Sequence, residues 1–243
     1  MVAIMSVRVC TSIWGTAWER YGKEFAESFT QYWDSSIELF VTVDKKIPFD
    51  RAQQKLLKHI PSYALFDNKW KGSPRYKSGP IKKEDLFKYD AAKWAPQAIT
   101  PNAALEHNSH WVNNDILIWT DADSEFYDKV DENWVESVLG NYDVAALQRP
   151  KRHTEIGFFA LRLNKNTRAA MYRFSELFVS YDIFGYDEWH SGYAWDIAMK
   201  ESDVNIKDLN TTGSNGHPFP DSVLAEKIVH NKGELKGPYE GLI

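Results

Sequence analysis

One apolar run that ends in two acids constrains this chain more than any other feature. Residues 115–123 read Asp-Ile-Leu-Ile-Trp-Thr-Asp-Ala-Asp. Ile116 to Trp119 is a short, continuous apolar stretch of the kind that makes a buried strand. A strand that stops at Asp121-Ala-Asp123 delivers two carboxylates to its C-terminal rim, where open α/β sheets bind ligands. Two hard oxygen donors at one rim suit Mg²⁺ or Mn²⁺, and such an ion suits a diphosphate. The run therefore predicts an enzyme that uses a nucleotide-linked donor.

Bulk properties narrow the setting. A chain of 243 residues can bury a full core in one domain. Hydrophobic content of 43% and charged content of 26% are those of a soluble globular protein. The 14% aromatic share, with 10 Trp, reads first as a bulky core and second as stacking surface for bases or sugars. A net charge of −5 argues against general binding to nucleic acid or to anionic membranes, although it leaves room for a local basic patch. Cys10 is the one cysteine, so neither an internal disulfide nor a Cys-based zinc site is available. It falls in the first predicted strand and reads as a buried, inert thiol. The first residues lack a basic n-region, and no apolar run approaches the ~18 residues of a membrane span. A cytoplasmic setting is expected.

The pattern along the chain is that of a mostly parallel α/β sheet. Val7 to Ile13 predicts a strand, residues 20–33 a helix through Tyr21, Phe25, Phe29 and Tyr32, and Ile37 to Val43 a second strand closed by Asp44. Phe49 to His59 predicts a further helix, stopped by Pro61. Residues 67–88 read as a long, basic, irregular loop, either a solvated surface segment or a flap over phosphates or an anionic acceptor. Residues 88–110 predict two consecutive helices, with Thr100 as N-cap and Pro101 at the first position of the second. A short helix over 131–140 precedes strands at 143–147 and 157–163, joined by the polar connection Gln148–Glu155. Helices over 168–181 and 188–200 follow, then a loop over 211–222 and a short strand or turn at Ile228-Val229, ending at His230.

Five elements together resemble a family of small microbial and viral GT-A-like nucleotide-sugar glycosyltransferases. They are Val9-Cys-Thr-Ser-Ile-Trp-Gly15, Lys88-Tyr-Asp-Ala-Ala-Lys-Trp94 and Ile116-Leu-Ile-Trp-Thr-Asp-Ala-Asp123. The others are Thr154-Glu-Ile-Gly-Phe-Phe159, and Asp187-Glu-Trp-His190 with His230-Asn-Lys-Gly233. The resemblance implies a GT-A fold: a Rossmann-like three-layer αβα domain over 1–243 with a mostly parallel mixed sheet. Its nucleotide-binding half would be 1–123 and its acceptor-side half 124–243. Two positions depart from the family pattern. Gln97 stands where a cationic residue is expected, and Ser191-Gly192 where an acid is expected.

The site follows from both readings. Asp121 and Asp123 are the candidate metal ligands, against the alternative of a solvated turn. The resemblance adds His230 as third ligand, with Lys232 and Lys236 as charges against a diphosphate. Thr11, Trp14 and Asp44 at strand ends offer a hydroxyl, an aromatic face and a carboxylate for a nucleobase and ribose, and Lys93 joins this donor-binding set. Glu155, Asp187, Glu188 and Asp196 are the acids available to deprotonate an acceptor hydroxyl, with helix N-terminal charge as the alternative role of Asp187 and Glu188. His190 reads as structural before functional. The activity these residues imply is a metal-dependent glycosyltransferase, moving a hexose-like sugar from a nucleoside-diphosphate donor to a glycan or other hydroxyl acceptor. A nucleotidyltransferase is disfavoured by the Gly-poor loop Trp14–Arg20, and a catalytically idle nucleotide-sugar-binding module is kept open by Gln97 and Ser191. Nucleic acid, through residues 67–88, is the less favoured partner.

Overall fold

Alternate residues of the apolar runs go to two different cores, and this period of two builds the sheet. A computed structural model describes residues 5–72, 79–107 and 111–231. Its strands are β1 (Val7–Ile13), β2 (Glu38–Val43), β3 (Ala52–Leu56), β4 (Ile116–Thr120), β5 (Ser124–Phe126), β6 (Val144–Arg149), β7 (Arg152–Arg162), β8 (Ile206–Asp208) and β9 (Ile228–His230). Seven of them form one sheet in the order β3-β2-β1-β4-β7-β6-β8. Within it β7 runs antiparallel to β4 and β6, while the other neighbouring pairs are parallel. β5 and β9 form a separate antiparallel ladder.

The helices are α1 (Lys23–Tyr32), α2 (Pro61–Trp70), α3 (Ala91–His107), α4 (Glu132–Leu139), α5 (Lys165–Val179) and α6 (Ser191–Glu201). On one face Val9, Val41, Ile116 and Ile118 pack with Phe25 and Phe29 of α1 and Val135 and Val138 of α4. On the other, Cys10, Phe40, Leu117 and Trp119 pack with α2, α3, α5 and α6 through Phe66, Ala95, Phe174 and Trp195. This is a three-layer αβα arrangement with a mostly parallel mixed sheet, as the sequence led one to expect. Local signals support the frame. Asp131 caps α4 by accepting from Trp134 N–H, and Asn164 and Thr167 form a reciprocal capping box on α5. Among the described residues no helix is long and apolar enough to cross a membrane.

Several expected elements differ. Residues 49–59 are not a helix: 52–56 form edge strand β3, and a 3₁₀ turn follows at Leu57–His59. The polar run Ala-Gln-Gln-Lys-Leu suits an edge, where one flank of the strand meets water. Pro61 opens α2 rather than ending a helix, because a proline at the first turn gives up no intrahelical hydrogen bond. The supposed loop over 67–88 begins with the last turn of α2 and ends in a 3₁₀ segment, Lys83–Tyr89, while 73–78 lie outside the described residues. The two helices expected over 88–110 are one, with Pro96 and Pro101 both inside α3. Twelve of its residues are buried, Ala95, Ala98 and Ala104 among them, and this packing outweighs the hydrogen bonds the prolines remove. The connection 148–155 is a hairpin whose strands reach Arg149 and Arg152. The helix expected from 188 starts at Ser191.

Cys10 is fully buried, and burial pushes its thiol far above the ordinary range. An aromatic disulfide reagent is therefore expected to titrate no thiol in the native protein and one per chain in denaturant. Rapid reaction under native conditions would contradict the packing of β1.

Candidate active site

The acid-tipped strand is turned into a site by two backbone events. β4 leaves the sheet after Thr120, where Asp121 N–H donates to Gly157 O at 2.8 Å. Ser124 N–H then donates to Asp121 O at 3.0 Å, closing a turn that leads directly into β5. β5 pairs with β9 so that Ser124 lies opposite His230, and Asn231 N–H donates to Asp123 O at 3.0 Å. This ladder carries a residue more than a hundred positions away to the two carboxylates.

His230 Nε2 lies 3.1 Å from Asp123 Oδ1 and 3.5 Å from Asp121 Oδ2. One ligating atom from each residue falls within 4.8 Å of those from the other two. Both ring nitrogens of His230 are buried without a hydrogen bond, despite that proximity to two carboxylates. Short approach without hydrogen-bond alignment is the behaviour of ligands to a shared cation. Asp123 is 3% exposed beside a second carboxylate, an arrangement that favours a cation between them. The donor set of two carboxylates and one imidazole fits Mn²⁺ or Mg²⁺. His230 is seated on Gly157, where a Cβ would meet Cε1 of the ring at 2.5 Å.

Asp121 is held from behind by neutral donors. Its Oδ1 accepts from Gln97 Nε2 at 2.9 Å and from Trp119 Nε1 at 3.0 Å. Gln97 Oε1 in turn accepts from Ser191 Oγ at 2.5 Å. The two departures from the family pattern are thus bonded to each other and to the first acid. Tyr21 stands near the same carboxylate, and its phenol is pushed up by burial first and by the Asp121 charge second.

A second polar cluster lines the same cleft. Glu188 accepts from His190 Nε2 at 2.8 Å and pairs with Lys88 Nζ at 3.0 Å. The pairing with Lys88 follows from the backbone, because Trp189 N–H donates to Lys88 O at 2.6 Å. The His190 hydrogen bond, helped by Lys88, holds the Glu188 carboxyl down at about 2 against the opposing effect of burial. His190 Nδ1 caps α6 by accepting from Tyr193 N–H. Burial lowers the His190 imidazole pKa, with Glu188 acting the other way. His153 approaches this cluster from β7 and contacts Asp196 at 2.8 Å. Arg149 bonds Glu155 at 3.3 Å.

The cleft, of about 1570 Å³, brings together Trp14, Lys93, Asp121, Asp123, Glu155, Glu188 and His230. Lys93 lies over the Trp94 ring at 4.6 Å. Four candidates do not line it, among them Asp196 of α6, which contacts His153. Thr11 is fully buried in β1. Asp44 is exposed and accepts from Gly15 N–H at 3.0 Å. Asp187 is exposed and is not among the residues lining the cleft. Lys232 and Lys236 lie outside the described residues. Sequence reasoning missed the supporting roles of Gln97, Trp119 and Gly157, and it passed over His153. A glycine opposite a histidine ring leaves no periodic signal. His153 lay inside a segment read as a basic connection.

No protein-family model matches the chain, and no curated protein does. Among solved structures, it is similar to apo mouse xyloside xylosyltransferase 1, at TM-score 0.49 and 12% identity, over 97% of this chain and all of that one. It is also similar to the apo bifunctional glycosyltransferase WbbM, at TM-score 0.49 and 11% identity, over 96% of this chain and 47% of that one. Likeness at this level leaves activity to be argued from the chain's own residues.

Gly157→Ala is expected to displace His230 and to lower Mn²⁺ affinity about 10–100-fold, as loss of an orienting contact does, with the far-UV circular dichroism unchanged. Isothermal titration with Mn²⁺ checks this. A second expectation concerns acid. Glu188 and His190 both have lowered folded-state values, so the unfolded chain binds more protons than the folded one as pH falls below 6.5 and then below 4.5. Stability is present near neutrality and drains on acidification. Glu188→Gln should be less stable at pH 7 and lose less between pH 4.5 and 2, as read from urea midpoints.

Proposed function

We propose that the protein is a metal-dependent glycosyltransferase that moves a sugar from a nucleoside-diphosphate donor to a hydroxyl acceptor. The observation that carries this reading is the convergence of Asp121, Asp123 and His230 at one end of a large cleft at the C-terminal rim of β4. Those three residues would hold Mn²⁺ or Mg²⁺. Bound there, the ion would supply Lewis-acid stabilisation of the departing nucleoside diphosphate.

The chain's own residues do the rest. Gln97 and Trp119 fix the Asp121 carboxylate before any ligand arrives, so little reorganisation accompanies binding. Trp14, at the end of β1, offers an aromatic face on the cleft for a nucleobase. Lys93 and Arg20 also line the cleft and bring positive charge suited to phosphate oxygens. Glu188 is already bound to Lys88 and His190, and Glu155 to Arg149, so these acids serve better to order the acceptor side than to take a proton. Thr11 and Asp44 would act on the donor only through the loop after β1, which Asp44 anchors at Gly15.

Thermal melts with UDP, GDP, dTDP and ADP, each with Mn²⁺ or with EDTA, test the reading. One diphosphate should raise Tm only when Mn²⁺ is present. At a hundredfold excess over Kd the gain is about 2.7 kcal/mol, or about 5–10 °C for a chain of this size. Asp123→Asn should abolish the shift while melting no lower than wild type in EDTA. The absence of any metal-dependent shift would overturn the assignment.

A further inference from the structure

The cluster His153, Glu188 and His190 has the residue types of a second metal site, and its ligating atoms lie within 4.8 Å of one another. Its hydrogen bonds speak against one. Lys88 already neutralises Glu188 at 3.0 Å, and both nitrogens of His190 are committed, Nδ1 to Tyr193 N–H and Nε2 to Glu188. Only His153 keeps an uncommitted nitrogen.

His153 Nδ1 lies 2.8 Å from Asp196 Oδ2. The other Asp196 oxygen accepts from Thr154 Oγ1 at 2.6 Å, and Thr154 N–H points to the same carboxylate at 3.4 Å. An ionised carboxylate only accepts, so Nδ1 carries the hydrogen, and in the neutral ring Nε2 carries the lone pair. Nε2 is 3.8 Å from Glu188 Oε2, beyond hydrogen-bond reach. The side chain is 33% exposed and lines the cleft. The rings of His190 and Tyr193 pack edge-on against it, at 5.1 and 4.7 Å between centroids, and fix its plane. His153 and Gly157, the seat of His230, are four residues apart on β7, which separates them by no more than about 14 Å. His153 and the metal triad line the same cleft.

Resting on the transferase reading, we propose that His153 is the proton acceptor of the reaction and that Asp196 is its positioning residue. The acceptor's O–H proton passes to His153 Nε2 as its oxygen bonds the anomeric carbon. The bond from that carbon to the donor diphosphate breaks, and its electron pair leaves on the nucleoside diphosphate. The resulting imidazolium keeps Asp196 on Nδ1 and gains Glu188 as the nearest carboxylate to Nε2–H. Asp196→Asn should reverse this polarity. The Thr154 donors would hold the amide oxygen, turning the NH₂ toward Nδ1 and forcing the hydrogen onto Nε2.

The test follows nucleoside diphosphate release from a panel of UDP-, GDP- and dTDP-hexoses with Mn²⁺, with water as acceptor. His153→Ala should lower kcat about 10²–10⁴-fold, the usual worth of a positioned base. It should leave donor KM and the Mn²⁺-dependent thermal shift unchanged, and added imidazole should restore part of the rate. Asp196→Asn should lower kcat without imidazole rescue. Independently of turnover, long-range ¹H–¹⁵N spectra should show His153 with its hydrogen on Nδ1 in the wild type and on Nε2 in Asp196→Asn. A wild-type enzyme that releases diphosphate at a rate unchanged by His153→Ala overturns the role of His153 alone. A wild type that releases none from any donor removes the transferase reading and this role together. Should either variant fail to fold, the wild-type tautomer decides, and a hydrogen on Nε2 overturns the proposal.

Discussion

The whole site depends on a mismatch between two adjacent strands. Leu147 of β6 pairs with Glu155 of β7, and the next β6 pairing, Ala146, is with Phe159. Three residues of β7, 156–158, therefore have no opposite number on β6. A bulge of this kind bends a strand and releases backbone groups from the ladder. Here Ile156 O turns to Gln97 Nε2, while on the opposite edge Gly157 O continues the β4 ladder by accepting from Asp121 N–H. At the same point the missing side chain of Gly157 leaves the space that the His230 ring fills. Straightening β7 into regular register with β6 would draw Ile156 O away from the Gln97 amide that supports the first acid.

The support behind Asp121 is neutral, and this has a consequence for charge. Gln97 gives an N–H to Asp121 and takes an O–H from Ser191. A fixed cation at that position would offset the carboxylate and weaken its hold on a metal ion. An amide orients the same oxygen without cancelling its charge. The two departures from the pattern belong together in this light, since Ser191 orients the amide that orients the acid.

Much of the frame was legible because burial follows simple periods. β1 was read at its observed bounds, and the apolar run of β4, the helical spacing of α1 and the short strand ending at His230 were all visible. The misreadings share one cause, the weight of tertiary packing over local preference. β3 is a polar edge strand that only its place beside β2 makes regular, and α3 keeps two prolines because its alanine-rich face is buried against the sheet. The acid pair was legible from the strand that carries it. Its partner ladder was not, because β5 has three residues and its pairing with β9 spans more than a hundred positions. The hairpin joining β6 to β7 was hidden by its charge, as Arg149 and Arg152 form a pair that composition assigns to a loop.

The three histidines of the cleft show why residue type alone stops short of chemistry. They are one letter in the sequence, and their ring partners give them three different capacities. His190 has both nitrogens occupied, one capping α6 and one on Glu188, so it is a structural link between a helix and an ion pair. His230 has both nitrogens buried without a hydrogen bond and two carboxylates beside Nε2, so it has a lone pair to give to a cation. His153 lines the cleft with one nitrogen fixed by Asp196 and the other 3.8 Å from Glu188, so its neutral ring has a lone pair to give to a proton. A neutral imidazole offers one donor and one acceptor, and its surroundings decide which of them the cleft sees. What assigns these roles is Tyr193, the two aspartates of the β4 rim and Asp196, on elements that meet only in the folded chain.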